Sequence, residues 1–271
     1  ADITLVNGTL SNFAGSNKIY TATFTPSTDG TCTISVAQNK FTDASGNNNS
    51  ASNDFTWIFD STRPTMTISS STVSSGDTSN DPIISLTFTS NESTTNFIVG
   101  DITISGGTLS DFSGSGTTYT AILTPSGDAT YTISVAENTF TDLAGNNNTA
   151  SNNFTWTLDS TSPTMTITST TVSSGDTSND STINVTFTSN ESTTNFVEGD
   201  ITVTNGSLSN FSGSGTTYTA TLTPTADGTC TVKVLANKFT DSSGNNNSAS
   251  NNFSWTYDST GPTMTLTSST V

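Results

Sequence analysis

Along most of the chain apolar and polar residues alternate with a period of two. Phe154-Thr155-Trp156-Thr157-Leu158, Ile183-Asn184-Val185-Thr186-Phe187 and Tyr131-Thr132-Ile133-Ser134-Val135 follow this pattern, as do Tyr119, Ala121 and Leu123. Met165-Thr166-Ile167 and Ile102-Thr103-Ile104 are shorter cases. A period of two sends one face of a strand to a core and the other to solvent, and the outward positions here are mostly Thr, whose branched Cβ suits the pleat. Between these runs lie clusters of turn-forming residues at 74–81, 113–116, 125–128 and 144–148. No segment carries a helical stripe. The pattern predicts an all-β chain of short strands.

The strands recur. Trp57, Trp156 and Trp255 are spaced by 99 residues (156 − 57 and 255 − 156), and the flanking text repeats without gaps. A repeat of that length is one folding unit used serially. The predicted frame is a partial unit at 1–63, complete units at 64–162 and 163–261, and the opening strand of a further unit at 262–271. That frame is expected of a window from a longer repetitive polypeptide. About seven short strands in 99 residues, apolar on one face, predict a two-sheet sandwich large enough to fold as a unit. Phe88, Phe97, Phe112, Tyr119, Tyr131, Phe140, Phe154 and Trp156 are its expected core.

Composition narrows the classes of partner. Five Lys and Arg stand against 22 Asp and Glu, with no His, for a formal charge of −17. Such a chain repels phosphate backbones and anionic membrane surfaces, so nucleic acid and lipid are not expected partners. No apolar run is long enough to insert in a membrane. Cys32 and Cys230 are two repeat lengths apart and occupy one position in different copies, where the middle copy has Tyr131. A disulfide within a unit is thereby excluded, and both are expected as small buried hydrophobes.

Several runs together resemble a known family: Phe187-Thr-Ser-Asn-Glu-Ser192, Gly199-Asp-Ile-Thr-Val203, Asn205-Gly-Ser-Leu-Ser-Asn-Phe211, Tyr218-Thr-Ala-Thr-Leu-Thr-Pro224, Asp227-Gly228, Phe239-Thr-Asp-Ser-Ser-Gly-Asn245 and Asp258-Ser-Thr-Gly-Pro262. They are similar to the bacterial Ig-like domains of large tandem-repeat surface proteins, which include extracellular adhesins and biofilm proteins; similar repeats occur in extracellular proteins of marine protists. The resemblance covers the entire chain. It implies tandem Ig-like β-sandwiches in an elongated array, an extracellular or cell-surface location, and copies of itself or neighbouring repeats as partners.

In an Ig-type strand order, the loop after the second strand, the loop before the last strand and the incoming linker share one pole. Those segments carry Asp60, Glu92 and Asp142 in the second unit, and Asp159, Glu191 and Asp241 in the third. Asp43 is the surviving counterpart in the first. Asp77, Asp81 and Asp128, with Asp176, Asp180 and Asp227, are placed at the opposite pole, so carboxylates of adjacent units are expected across each Asp-Ser-Thr-x-Pro linker. With few cations in the chain, such a cluster calls for a counter-ion, and calcium accepts six to eight oxygen ligands in flexible geometry. The resemblance also implies calcium as a stiffener of domain junctions. The alternative is a solvated acidic surface in which Asp and Asn serve turns.

Catalysis is not expected. There is no His, no Gly-x-Ser-x-Gly elbow and no phosphate-cradling loop, and the acids recur in each copy as structural features do. Lys–Asn cross-links are not expected either, because Thr139 replaces Lys40 and Thr117 replaces Lys18 in the middle copy. Asn91, Asn147, Asn153, Asn184, Asn190, Asn205 and Asn246 open Asn-x-Ser/Thr sequons and are candidate glycosylation sites. Outward Thr217, Thr219, Thr221 and Thr223 present a hydroxyl row that suits an alternative role in binding surface glycan or ice. The principal expectation is a non-enzymatic filament, fibre or adhesin stalk.

Overall fold

A computed structural model describes residues 2–269. The first unit contains β1 (Ile3–Val6), β2 (Gly8–Ser16), β3 (Ile19–Pro26), β4 (Gly30–Val36) and β5 (Phe55–Phe59). The second contains β6 (Met66–Ser70), β7 (Thr78–Ser79), β8 (Ile84–Thr94), β9 (Ile102–Ile104), β10 (Thr108–Thr124), β11 (Ala129–Val135) and β12 (Phe154–Leu158). The third repeats it as β13 (Met165–Ser169), β14 (Thr177–Ser178), β15 (Ile183–Thr193), β16 (Ile201–Thr204), β17 (Gly206–Pro224), β18 (Gly228–Val234) and β19 (Phe253–Tyr257). Two short 3-10 turns, Val99–Asp101 and Glu198–Asp200, lead into β9 and β16.

Each complete unit is a sandwich of two sheets. In the second unit one sheet has the order β10-β8-β6 and the other β7-β12-β11-β9; in the third they are β13-β15-β17 and β14-β19-β18-β16. Almost all pairings are antiparallel. The exceptions are β7 with β12 and β14 with β19, which run parallel. The long β10 turns back on itself after Gly114, at φ +132°, where a Cβ would lie 2.3 Å from the Thr118 carbonyl oxygen. Only glycine fits there. The turn cluster expected at 113–116 therefore lies inside one continuous ribbon.

The alternation maps onto the interior. Phe88, Leu86 and Ile84 face inward from β8, and Tyr131, Ile133 and Val135 from β11, all buried. Trp156 is fully buried. Phe97 sits at the centre of an aromatic group, 5.0 Å from Tyr119, 5.1 Å from Phe140 and 5.7 Å from Phe112. The third unit builds the same group around Phe196. Each full burial of such a ring contributes about 1.5–3 kcal/mol, so each unit holds its own core.

Both cysteines are free and buried. The Tyr131 hydroxyl accepts from the Ser126 and Gly127 amides and donates to the Gly127 carbonyl at 2.6 Å. In the third unit Cys230 leaves that space to Asn205, whose Nδ2 donates to the Ala226 carbonyl at 2.9 Å. A ring and a glycine (Gly106) in one copy thus replace a thiol and an asparagine in another. In the first unit Phe13, Tyr20, Phe41 and Phe55 are 56–62% exposed, because residues 2–63 hold no counterpart of β6 and β8. Residues 262–269 form no strand, and Met264 and Leu266 lie open. The rest of the expected opening strand, 270–271, lies outside the described residues.

Candidate metal site at the junctions between units

The linker between units is held from the unit it leaves. Asp128, just before β11, accepts from the Ser160 amide at 2.9 Å, from Ser160 Oγ at 2.6 Å and from Thr161 Oγ1 at 2.9 Å. Asp29 and Asp227 grip Ser61–Thr62 and Ser259–Thr260 in the same way. Hydroxyl and amide donors hold all three carboxyls below the usual carboxylate range. Of the acids expected at this pole, Asp128 and Asp227 therefore serve as clamps, while Asp81 and Asp180 accept from the Ser79 and Ser178 hydroxyls. Asp77 and Asp176 instead cap their own turns, accepting from the Ser74 and Ser173 amides.

On its other side the linker meets the next unit. Asn245 donates to the Asp159 carbonyl at 2.8 Å, Ser243 Oγ to the Asp159 carboxylate at 2.7 Å, and the Asn80 amide of the second unit to the Ser243 carbonyl at 3.1 Å. At the first junction Asn146 donates to the Asp60 carbonyl at 3.1 Å. Arg63, in the linker, hydrogen-bonds to the carbonyls of Asn147 and Asn148 and lies 3.9 Å from Glu137.

Here the carboxylates converge. Asp60, Glu92 and Asp142 each offer one oxygen within 4.8 Å of the others, and Asp159, Glu191 and Asp241 do the same at the second junction. Two ligands about 2.4 Å from one calcium ion are at most about 4.8 Å apart, so the spacing is compatible with a shared ion. The local fold presets the acids. Asp241 accepts from the Ser243 and Asn245 amides and from Asn245 Nδ2, and Asp142 from the Gly145 and Asn146 amides and Asn146 Nδ2. Burial pushes both Asp carboxyls up, but these donors outweigh it and hold them below the usual range. Glu92 is raised by burial and then by the charges of Asp60 and Asp142; Glu191 is raised by burial and by its contact with Asp241. Each cluster therefore holds charge that its surroundings do not neutralise. An oxygen-liganded divalent cation would be held by these three side chains and would favour the charged forms of Glu92 and Glu191.

Sequence reasoning named these six acids but missed what arranges them. Asn146 and Asn245 tie carboxylate to linker, and Asn148 and Asn247 organise the loop, all within Gly-Asn-Asn-Asn runs that read simply as turns. The recurrence of those Asn in each copy was the available signal.

The sequons divide by environment. Asn91, Asn147, Asn153, Asn184, Asn190 and Asn246 are exposed, and Asn205 is half-buried. Asn91 and Asn190 accept from the Thr65 and Thr164 amides, and Asn205 is committed to Ala226. The threonine row of β17 faces outward at Thr217, Thr219 and Thr223 and lies against Asn184, Thr186 and Thr188 of β15.

Several solved bacterial structures are similar to parts of this chain at low identity. A crystal structure of invasin, described as a bacterial integrin-binding protein, matches 85% of this chain at 16% identity and a TM-score of 0.37. This chain spans about half (49%) of that one. InvD of Yersinia pseudotuberculosis matches at 18% identity and a TM-score of 0.32, covering 76% of this chain and 62% of that one. The C-terminal domain of the Streptococcus agalactiae AgI/II polypeptide BspA matches at 9% identity and 0.35, covering 71% of this chain and 99% of its own. No curated protein sequence matches. The profile of the bacterial Ig-like domain matches three times in succession, at residues 1–57, 60–158 and 159–257, and no enzyme family is indicated. Nearly the entire chain is thereby accounted for, and it belongs to the bacterial Ig-like domain family.

Proposed function

We propose that this chain is a segment of a non-enzymatic extracellular stalk or filament, in which serial Ig-like units are set end to end and calcium stiffens each junction. The observation that carries the reading is the linker, gripped by an Asp from the unit behind and bringing its own Asp159 to Glu191 and Asp241 of the unit ahead. A chain joined in that way has few free torsions between units, which suits a spacer and serves no active site. Membership of the bacterial Ig-like domain family supports a surface location. No helix of the described residues is long and apolar enough to cross a membrane.

Calcium binding to the folded state stabilises it by about 2.7 kcal/mol per site at a hundredfold excess over Kd. Thermal melts of the full chain in calcium and in chelator test this, with small-angle scattering in both. The expected result is a higher midpoint and an extended particle in calcium. Asp159→Asn with Asp241→Asn should abolish the calcium response of the second junction and leave that of the first. Identical melts with and without chelator overturn the calcium site, and a compact particle in calcium overturns the stalk.

A further inference from the structure

We propose that the Asn205-Gly206 corner of the third unit converts spontaneously to isoaspartate in the folded chain, and that this conversion unlatches the buried Cys230 thiol. The inference is independent of the stalk reading. Asn205 is the one residue between β16 and β17, where the chain crosses from one sheet to the other, and its φ is +54°. Asn7 holds the same corner of the first unit at φ +61°, again with Gly next, whereas the second unit turns there through Gly106 and Gly107. A left-handed corner favours Asn or Gly. A glycine after Asn has no Cβ to obstruct attack by its amide nitrogen on the carboxamide carbon. Asn205 is half-buried, and its carboxamide is held through its nitrogen: Nδ2 donates to the Ala226 carbonyl at 2.9 Å and lies 3.7 Å from Cys230 Sγ. In the first unit Thr28 stands in place of Ala226, and Asn7 Oδ1 also accepts from the Thr28 amide at 3.2 Å and hydroxyl at 2.8 Å. The Asn205 side chain thus has fewer bonds to break before it can swing toward its glycine, and it should convert ahead of Asn7.

The reaction needs only water. The Gly206 nitrogen gives its proton to hydroxide and bonds to Asn205 Cγ; the Cγ–Nδ2 bond breaks, and Nδ2 takes a proton from water and leaves as ammonia. A five-membered succinimide results. Water then adds to one of its two carbonyls. Opening at Cγ gives aspartate, while opening at the main-chain carbonyl gives isoaspartate, whose backbone runs through Cβ and Cγ. The net change is one water consumed and one ammonia released. Neither product restores the latch. Each acid sets an oxygen where Nδ2 had donated, facing the Ala226 carbonyl with no proton between them. Isoaspartate also lengthens the corner by one atom and displaces the Asn205 carbonyl, which accepts from the Cys230 thiol at 3.0 Å. While latched, Cys230 is 1% exposed and burial pushes its thiol up, so it is unreactive.

The test ages the unglycosylated full chain at mildly alkaline pH. Peptide mapping by mass spectrometry reads isoaspartate at each Asn, and an alkylating reagent reads the two thiols. Isoaspartate should accumulate at Asn205 and more slowly at Asn7, with Cys230 alkylation rising in step with the first. Ala226→Thr recreates the hydroxyl that holds Asn7 and should slow conversion at Asn205 about fivefold, the equivalent of about 1 kcal/mol. Asn205→Asp supplies the aspartate product directly and should make Cys230 react faster than in the fresh chain. Where that variant fails to fold, the more acidic form of the aged chain is separated by ion exchange and its thiol is read instead. Asn205 left intact in the folded chain overturns the conversion. Conversion with Cys230 as unreactive as in the fresh chain overturns the latch. Earlier conversion at Asn7, or an unchanged rate in Ala226→Thr, overturns the role given to the carboxamide bonds. None of these readouts depends on calcium or on particle shape, so failure of the stalk reading would leave them standing.

Discussion

Asn148→Ala asks whether one side chain holds the loop that carries Asp142. Asn148 is fully buried, and its side chain makes five hydrogen bonds, the longest from Thr139 Oγ1 at 3.5 Å. Its Oδ1 accepts from the Thr139 amide at 2.8 Å and the Phe140 amide at 3.0 Å, and its Nδ2 donates to the Ala136 and Thr149 carbonyls, each at 2.8 Å. Alanine leaves the Thr139 and Phe140 amides and the Thr149 carbonyl without partners, while the Ala136 carbonyl still accepts from Thr139 Oγ1 at 3.1 Å. The Phe140 amide is beyond the reach of water, at about 1–3 kcal/mol for a stranded buried group, while the more open two lose about 0.5–1 kcal/mol each. The sum is about 2–5 kcal/mol, the middle of which lowers the midpoint of a domain this size by roughly 15 °C. Asn49 makes the same four bonds in the first unit, but there Phe41 is 56% exposed where Phe140 is 1% exposed. Water can replace those bonds, so Asn49→Ala should cost only about 1 kcal/mol. Calorimetry of the full chain, with hydrogen exchange read by mass spectrometry to separate the units, measures both. Equal costs for the two variants, or a shift below about 3 °C for Asn148→Ala, would refute the reasoning that burial rather than bond count sets the magnitude.

Other outcomes follow from the same geometry. Asp128→Ala frees the linker from the second unit, so paired spin labels on the second and third units should report a broader distance distribution with the melting of each unit unchanged. Gly213→Ala places a Cβ 2.4 Å from the Thr217 carbonyl oxygen at φ +138° and should destabilise the third unit by more than about 3 kcal/mol in urea unfolding. In chelator, stability should vary with pH in two directions. Glu92 and Glu191 have raised folded-state values, so their charged forms cost stability at neutral pH, and that cost is relieved as pH falls through the raised values toward the ordinary glutamate range. Asp142 and Asp241 have depressed values, so their contribution is complete above the ordinary aspartate range and is lost as pH falls through the depressed values. Melting midpoints in chelator should therefore rise slightly on mild acidification and then fall, whereas in calcium they should fall throughout; a monotonic decline in chelator would contradict the assignment of excess charge to these clusters.

Much of this architecture was legible because the signals were local and threefold. Period-two alternation located β11, β12 and β15 and named their inward faces, since burial on one face of a pleat leaves that trace directly in the residues. The six junction acids were legible through topology, because loops at one pole must meet whatever the linker brings. The clamp was not. Asp128, Ser160 and Thr161 read separately as turn residues, and only the fold sets a loop 32 residues earlier against the linker. The parallel pairing of β7 with β12 was hidden for the same reason. Asn152 mimics a strand neighbour for Ile68 across 84 residues, a bond that no short-range pattern encodes. In both cases a side chain does what backbone pairing does elsewhere, and it does so where one unit hands the chain to the next. The Asn, Ser and Thr that make this chain look suited to disorder are the groups that fix its ends. Those polar contacts lie at the joints and the aromatic cores lie between them, so damage to a joint and damage to a core should separate experimentally: the first changes how the units are arranged, the second whether they fold.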